Sequence, residues 1–228
     1  MQDKEQVLAE IDARIAERSI LNHPFYQAWA AGALSREQLA TYARAYYPHV
    51  AAFPGYLETA IAGTADPAIR TELEANLAEE LGVPAPHPEL WLDFAEACGA
   101  DRAEVVAAAP TPGTRDAVAR FERLCATGTA QALAALYAYE SQQPEVARTK
   151  ADGLCQLYAL ESPAALGYFE VHTEADVRHR QGERDSLAAC LAQGTRPEEL
   201  FAATDEALDA YWSLLDGICH EAGLTTVC

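Results

Sequence analysis

Lysine is nearly missing from this chain. Only Lys4 and Lys150 occur in 228 residues. Lys plus Arg number 16 against 35 Asp plus Glu, a formal net charge of −19. No basic run offsets that charge, which excludes nucleic acid and anionic membrane as partners. No apolar run approaches the roughly 20 residues of a membrane span. The opening MQDKEQVLAE has no signal-peptide character, so a cytoplasmic protein is expected. The six cysteines, Cys98, Cys125, Cys155, Cys190, Cys219 and Cys228, form no CxxC pair. Neither a zinc knuckle nor a disulfide framework is indicated, and reduced, mostly buried thiols are expected. No stretch alternates with period two, and β-branched residues are sparse, which leaves little room for a sheet.

What remains is helix. Half the residues are hydrophobic, enough for one large core, and the length is short for two, so residues 1–228 are read as a single domain. Val7, Leu8, Ile11 and Ile15 share one face of the first helix. Ser35 and Gln38 form a capping box, Thr195 and Glu198 another, and Asp66-Pro67 and Ser162-Pro163 are N-cap/N1 pairs. Gly82, Gly99, Gly194 and Gly223 sit where helices should stop. Pro48 and Pro54 are expected to kink the third helix. The pattern predicts helices over 3–21, 24–31, 36–62, 67–81, 87–98, 101–108, 114–142, 144–160, 163–180, 183–193 and 197–222. The fold class is an all-α bundle.

The stretch YFEVHTEADVRHR, residues 168–180, carries His172, Asp176 and His179 at i, i+4 and i+7. At about 100° per residue, Asp176 lies about 40° to one side of His172 and His179 about 20° to the other. A solvated polar face is the plain alternative to a metal site. Two other segments favour metal. In NLAEELGVPAPHPELW, a glycine and two prolines make a corner that can aim Glu80 and His87 into one place. Glu140 sits in the very apolar LAALYAYE, where an unpaired charge is costly, so arginine or a metal must meet it. The set is Glu80, His87, Glu140, His172, Asp176 and His179, with Glu140 the candidate bridge. Three imidazoles and three carboxylates match the ligand count of bundle di-iron and iron/manganese sites. Two divalent ions against three carboxylates leave about one positive charge for hydroxide or oxo to meet. One zinc does not need six ligands, and three histidines disfavour magnesium or calcium.

LNHPFYQAW, YARAYYPHVAAFPGYL, NLAEELG…HPELW, YAYESQQPEVARTKADGL and GYFEVHTEADVRH together resemble the family of the Chlamydia protein associating with death domains and its bacterial relatives. That family lies in the haem-oxygenase-like dimetal oxidase superfamily, and the similarity runs from about residue 3 to residue 222. The resemblance implies the helical bundle shared with TenA and PqqC, and six metal ligands that fall on the six residues above. It implies two metal ions, Fe/Fe or Fe/Mn, with O₂ and an external reductant as co-substrates. The implied product is para-aminobenzoate, a folate precursor, made by consuming the protein's own tyrosine. That tyrosine falls on Tyr26 and a suspected amino donor on Lys150. Aromatic residues near the metal site fall on Tyr42, Tyr139 and Tyr168. A homodimer is expected.

The residues themselves permit plainer readings. Tyr26 is by default a packing residue with a hydrogen-bonded hydroxyl, and Tyr42, Tyr139 and Tyr168 are simplest as core. A lysine can lose its proton when desolvated and act as a nucleophile, which arginine effectively cannot, so Lys150 suits a donor. His23 is expected to cap a helix or accept a hydrogen bond, and His49 and His220 to be structural or exposed. The same ligands would serve an oxidase of an exogenous small molecule. A TenA-like thiamin-salvage hydrolase needs a cysteine about one turn before the tyrosine on the Glu140 helix. Only leucine and alanine stand there. A non-enzymatic interaction role would not need six metal ligands.

Overall fold

A computed structural model describes residues 3–82 and 85–224, without the side chains of 174 and 175. Eleven α-helices make up the described chain. They are α1 (Lys4–Glu17), α2 (Pro24–Ala30), α3 (Arg36–Gly63), α4 (Pro67–Glu80), α5 (His87–Cys98), α6 (Arg102–Ala107), α7 (Pro112–Thr127), α8 (Thr129–Glu140), α9 (Gln143–Tyr158), α10 (Pro163–Ala192) and α11 (Pro197–Glu221). No strand occurs among the described residues.

Local sequence sets most helix starts. The Ser35–Gln38 capping box forms, with the Ser35 hydroxyl accepting from Gln38 N. Asp66 accepts from the amides of Ala68 and Ile69, with Pro67 at the first helical position. His23 caps α2, its Nδ1 accepting from Phe25 N at 3.1 Å. Gly99 ends α5 at φ 99, a left-handed conformation that suits glycine. The Thr195–Glu198 box does not form. Pro197 takes the first helical position, so Arg196 becomes the N-cap and no side chain caps α11. Cys219 is disulfide-bonded, so the expectation of six reduced thiols fails there. Spacing alone carries no pairing information.

The helix expected over 3–21 ends at Glu17, with a separate 3₁₀ turn over Ile20–Asn22, and two further stretches differ from the periodicity reading. Residues 114–142 are two helices, because the poor helix formers Thr127, Gly128 and Thr129 break the run and Gly128 is extended. Residues 163–180 and 183–193 are one helix. α10 runs for 30 residues without a break at Gln181 and Gly182. α3 likewise runs unbroken past Pro48 and Pro54.

α8 occupies the middle of the bundle. From Ala132 to Glu140 every residue is buried, so the helix is apolar all round except at Glu140. α10 and α11 pack on α8, α3 packs on α4, α5 and α7, and α9 packs on α10. The interior is strongly aromatic, with Trp29, Trp91, Tyr26, Tyr42, Tyr46 and Tyr56 among its fully buried side chains.

Gly153 on α9 sets the approach of α2. A Cβ there would lie 2.6 Å from Trp29 Nε1, on a fully buried ring. Alanine elsewhere in a helix gains about 1 kcal/mol over glycine. Overpacking against a ring with nowhere to go costs about 1–3 kcal/mol, so the clash should win. Gly153→Ala is expected to lower stability by about 1 kcal/mol in urea unfolding. A stabilised variant would show that α2 can move away freely.

Candidate metal centre

The six sequence-predicted ligands are all buried, the most exposed being His179 at 8%. Glu80 ends α4 and His87 opens α5, so the corner between the helices brings them together. α8 delivers Glu140 at its last turn, and α10 delivers His172, Asp176 and His179 from one face. They form two triads. Ligand atoms of Glu80, His87 and His172 lie within 4.8 Å of one another, and so do those of Glu140, Asp176 and His179.

Contacts inside the triads are close but poorly satisfied. Glu80 Oε1 is 2.8 Å from His87 Nδ1 and 3.9 Å from His172 Nε2. His179 Nδ1 is 3.2 Å from Asp176 Oδ1 and 3.9 Å from Glu140 Oε2. Yet His87 Nδ1, Asp176 Oδ2 and His179 Nε2 are buried without a hydrogen-bond partner. His87 Nδ1 and Glu80 Oε1 are near each other but off a hydrogen-bond axis. Within the second triad His179 Nδ1 and Asp176 Oδ1 share a hydrogen bond, while His179 Nε2 lies 3.3 Å from Glu79. Buried polar atoms that converge and stay partly unsatisfied, as His87 Nδ1 and Asp176 Oδ2 do, are what metal ligands look like before an ion joins them. The donor set, imidazole with carboxylate, suits iron or manganese.

Electrostatics agree. Burial holds the Asp176 carboxyl well above the usual carboxylate range, the charge of Glu80 adds to this, and His87 opposes it. Burial also raises Glu140. Burial pushes the His172 imidazole well down, with His87 contributing, so the ring is a neutral ligand. His172 Nδ1–H donates to Tyr168 O at 2.6 Å, which leaves Nε2 free for an ion. Asn76 on α4 donates to both Glu140 oxygens at 2.9 Å and orients that carboxylate.

Four of the ligands, Glu80, Glu140, His172 and Asp176, share a narrow cavity with Tyr139, Tyr168 and Gln143. The Tyr168 ring lies against His172, tilted by 32° with centroids 4.1 Å apart. From Tyr139 a phenol network leads inward. Tyr46 OH is 3.1 Å from Tyr139 OH and 2.8 Å from Tyr211 OH. Tyr211 is in turn a hydrogen-bond neighbour of Tyr26. Tyr26 does not line the metal cavity; it stands one layer behind it. There, Tyr26 OH is 3.2 Å from Tyr42 OH, and Lys150 Nζ donates to Tyr42 OH at 2.6 Å. Lys150 Nζ also lies 4.9 Å from the centre of the Tyr26 ring. Lys150 is 2% exposed, and burial alone holds its amine well below the usual lysine range.

His23, His49 and His220 stay outside the centre. His49 is buried, its Nδ1 3.3 Å from Tyr56 OH, and burial lowers it to about 3. His220 is exposed. Sequence reading missed Asn76, Tyr46, Tyr211 and Glu183. Glu183 continues the His172, Asp176, His179 face at the next turn, but the helix bounds expected from periodicity, 163–180 and 183–193, put it on a separate helix.

Asparagine at 176 mimics the neutral acid that burial favours, so the metal-free fold should tolerate it. Asp176→Asn is expected to melt no lower than the parent without metal. It should lose much of the stabilisation by Mn(II) or anaerobic Fe(II), which for one site at 100 times Kd is about 2.7 kcal/mol. Equal metal-induced shifts in melting temperature for both proteins would remove Asp176 from the ligand set.

Comparison with known proteins places this geometry. The family of iron-containing redox enzymes with the haem-oxygenase fold matches residues 40–212. The chain is 40% identical to the 4-aminobenzoate synthase of Nitrosomonas europaea over 222 residues, covering 93% of this chain and 90% of that protein. It is 36% identical to the 4-aminobenzoate synthase of Chlamydia muridarum, covering 94% of each. A solved TenA homologue from Pseudomonas syringae superposes with a TM-score of 0.79 at 19% identity, covering 95% of this chain and 92% of that one. The two triads and the family together support a dimetal centre. The chain belongs to the haem-oxygenase-like iron-containing redox enzymes, in the branch that holds the 4-aminobenzoate synthases.

Proposed function

We propose that this protein makes para-aminobenzoate from its own Tyr26, with Lys150 supplying the nitrogen. The names of its relatives support the product, since the two above are 4-aminobenzoate synthases. The observation that carries the rest is the buried Lys150 amine, 4.9 Å from the Tyr26 ring centre and hydrogen-bonded to Tyr42. Tyrosine already has the para-substituted ring that the product requires.

Iron with iron or manganese in the two triads, held by the six ligands, would activate O₂ with electrons from an external reductant. The chain's own residues do the rest. Tyr26 is 1% exposed, so its ring is held dry and in one orientation. Tyr42 fixes both the Tyr26 hydroxyl and the Lys150 amine. Burial without a carboxylate partner keeps that amine free of its proton, and only the free amine has the lone pair that can form a carbon–nitrogen bond. In this reading one O₂ cleaves the Tyr26 Cα–Cβ bond: its two oxygen atoms make the product carboxyl on Cβ, and Cα takes a hydrogen and is left as glycine. The ring C–O bond gives way to C–N as the Lys150 Cε–N bond breaks, the ring oxygen leaving as water and water turning Lys150 Cε into an aldehyde. The two electrons and two protons that this releases, with two of each from the external reductant, reduce a second O₂ to water. Tyr139, Tyr168 and the phenols between them offer hydroxyls through which protons and electrons can pass from Tyr26 towards the ligands. The narrow metal cavity and the closed core around Tyr26 also favour an internal over an added substrate. Such a protein turns over at most once.

Phenylalanine fills nearly the volume of tyrosine, so Tyr26→Phe should fold at a modest cost of about 1 kcal/mol. It is expected to load metal normally and release no para-aminobenzoate by mass spectrometry. Lys150→Met keeps the stem and removes the amine, and should likewise load metal without yielding the product. Undiminished product from Tyr26→Phe, with an added small molecule consumed, would establish an oxidase of exogenous substrate in its place.

A further inference from the structure

Glu183 is a buried acid whose carboxyl meets another acid. It is 4% exposed on α10, one turn beyond His179, and no donor N–H or hydroxyl of the described residues reaches either carboxyl oxygen. Only the Glu140 carboxyl, if one of the two is protonated, can share a hydrogen bond with it. Its carboxyl faces that of Glu140, which Asn76 already secures from α4. Two carboxylates cannot satisfy each other, and a buried charge without a partner opposes folding. Either a proton or a cation must sit between them.

The surroundings favour a cation. Glu183 extends the ligand face of α10 by the next turn, so the helix presents His172, Asp176, His179 and Glu183 in one line. It lines a cleft between α4 and α10 together with Asn76, Glu79 and His179. The triad of Glu140, Asp176 and His179 supplies three donors, fewer than iron or manganese usually takes. Glu183 lies at its edge, and rotation of a flexible glutamate side chain can bring an oxygen in. The charges then close. Glu80, Glu140, Asp176 and Glu183 balance two divalent ions without an added anion.

We propose that Glu183 is a fourth protein ligand of the ion held by Glu140, Asp176 and His179, reaching it from the cleft between α4 and α10. This rests on the dimetal reading of the six residues, and it makes the two centres unequal. One has two imidazoles and one carboxylate. The other has one imidazole and three carboxylates, a donor set that suits the oxygen-seeking manganese ion.

The test is Mn(II) titration by calorimetry and anomalous X-ray scattering at manganese, on the wild type and on Glu183→Gln. Glutamine keeps the shape and removes the charge, so the metal-free variant should melt no lower than the wild type. In the wild type both centres should fill, with a Glu183 oxygen about 2.0–2.3 Å from the second ion. In the variant the Glu80, His87 and His172 centre should fill as before, while Mn(II) affinity at the other falls about tenfold or more. Equal filling of both centres in both proteins would overturn the assignment, as would a wild-type density with Glu183 still turned to Glu140 and away from the ion. Failure of the wild type to hold two ions would overturn the dimetal reading as well. The wild-type crystallography decides the point even if the variant does not fold.

Discussion

Buried carboxylates whose ion-pair partners are histidines are the constraint on which the rest of this bundle depends. Glu80, Glu140 and Asp176 lie in a low-dielectric interior. Among the described residues, the ion-pair partners of the six ligands are one another and Glu79. Such a cluster survives either by holding protons or by holding metal. The helices around it are otherwise apolar and closely packed. They fix the ligands in place and leave His87, Asp176 and His179 each with an unpartnered buried polar atom.

A second constraint stands a layer away. Lys150 is a buried amine enclosed by the rings of Tyr26, Tyr42, Tyr46 and Trp91. Among the described residues no carboxylate stabilises its charged form, so burial favours the neutral amine. The acidic cluster and the basic group are kept apart by hydrogen-bonded phenols. If a carboxylate stood beside Lys150, the amine would stay protonated and be lost as a nucleophile. The separation favours the neutral Lys150 amine, the state that the proposed donor role needs.

Much of this was legible in the sequence, for identifiable reasons. His172, Asp176 and His179 share a helical face by spacing alone, and the proline corner announced the approach of Glu80 to His87. Glu140 stood out as a charge in an apolar helix. What was not legible depends on tertiary contact. The helix expected over 163–180 stops short of Glu183, and only the unbroken α10 puts Glu183 on the same face as His172, Asp176 and His179. Gly128 was overlooked because the apolar pattern continues across it. Asn76 carries no spacing signal, since its role is to orient a carboxylate on another helix. Tyr46 and Tyr211 resemble any core tyrosine until the chain is folded. The roles of Tyr26 and Lys150 came from resemblance and not from pattern, and the contacts between them appear only in three dimensions.

The central claim is that the ring of the product was once a side chain of this protein. The most direct measurement uses wild-type protein grown with ring-labelled tyrosine, then purified and given metal, reductant and O₂ in unlabelled buffer. The account predicts labelled para-aminobenzoate, at no more than one equivalent per chain, and a peptide map whose lesion lies at residue 26. Unlabelled product in many equivalents, with Tyr26 intact, would contradict it.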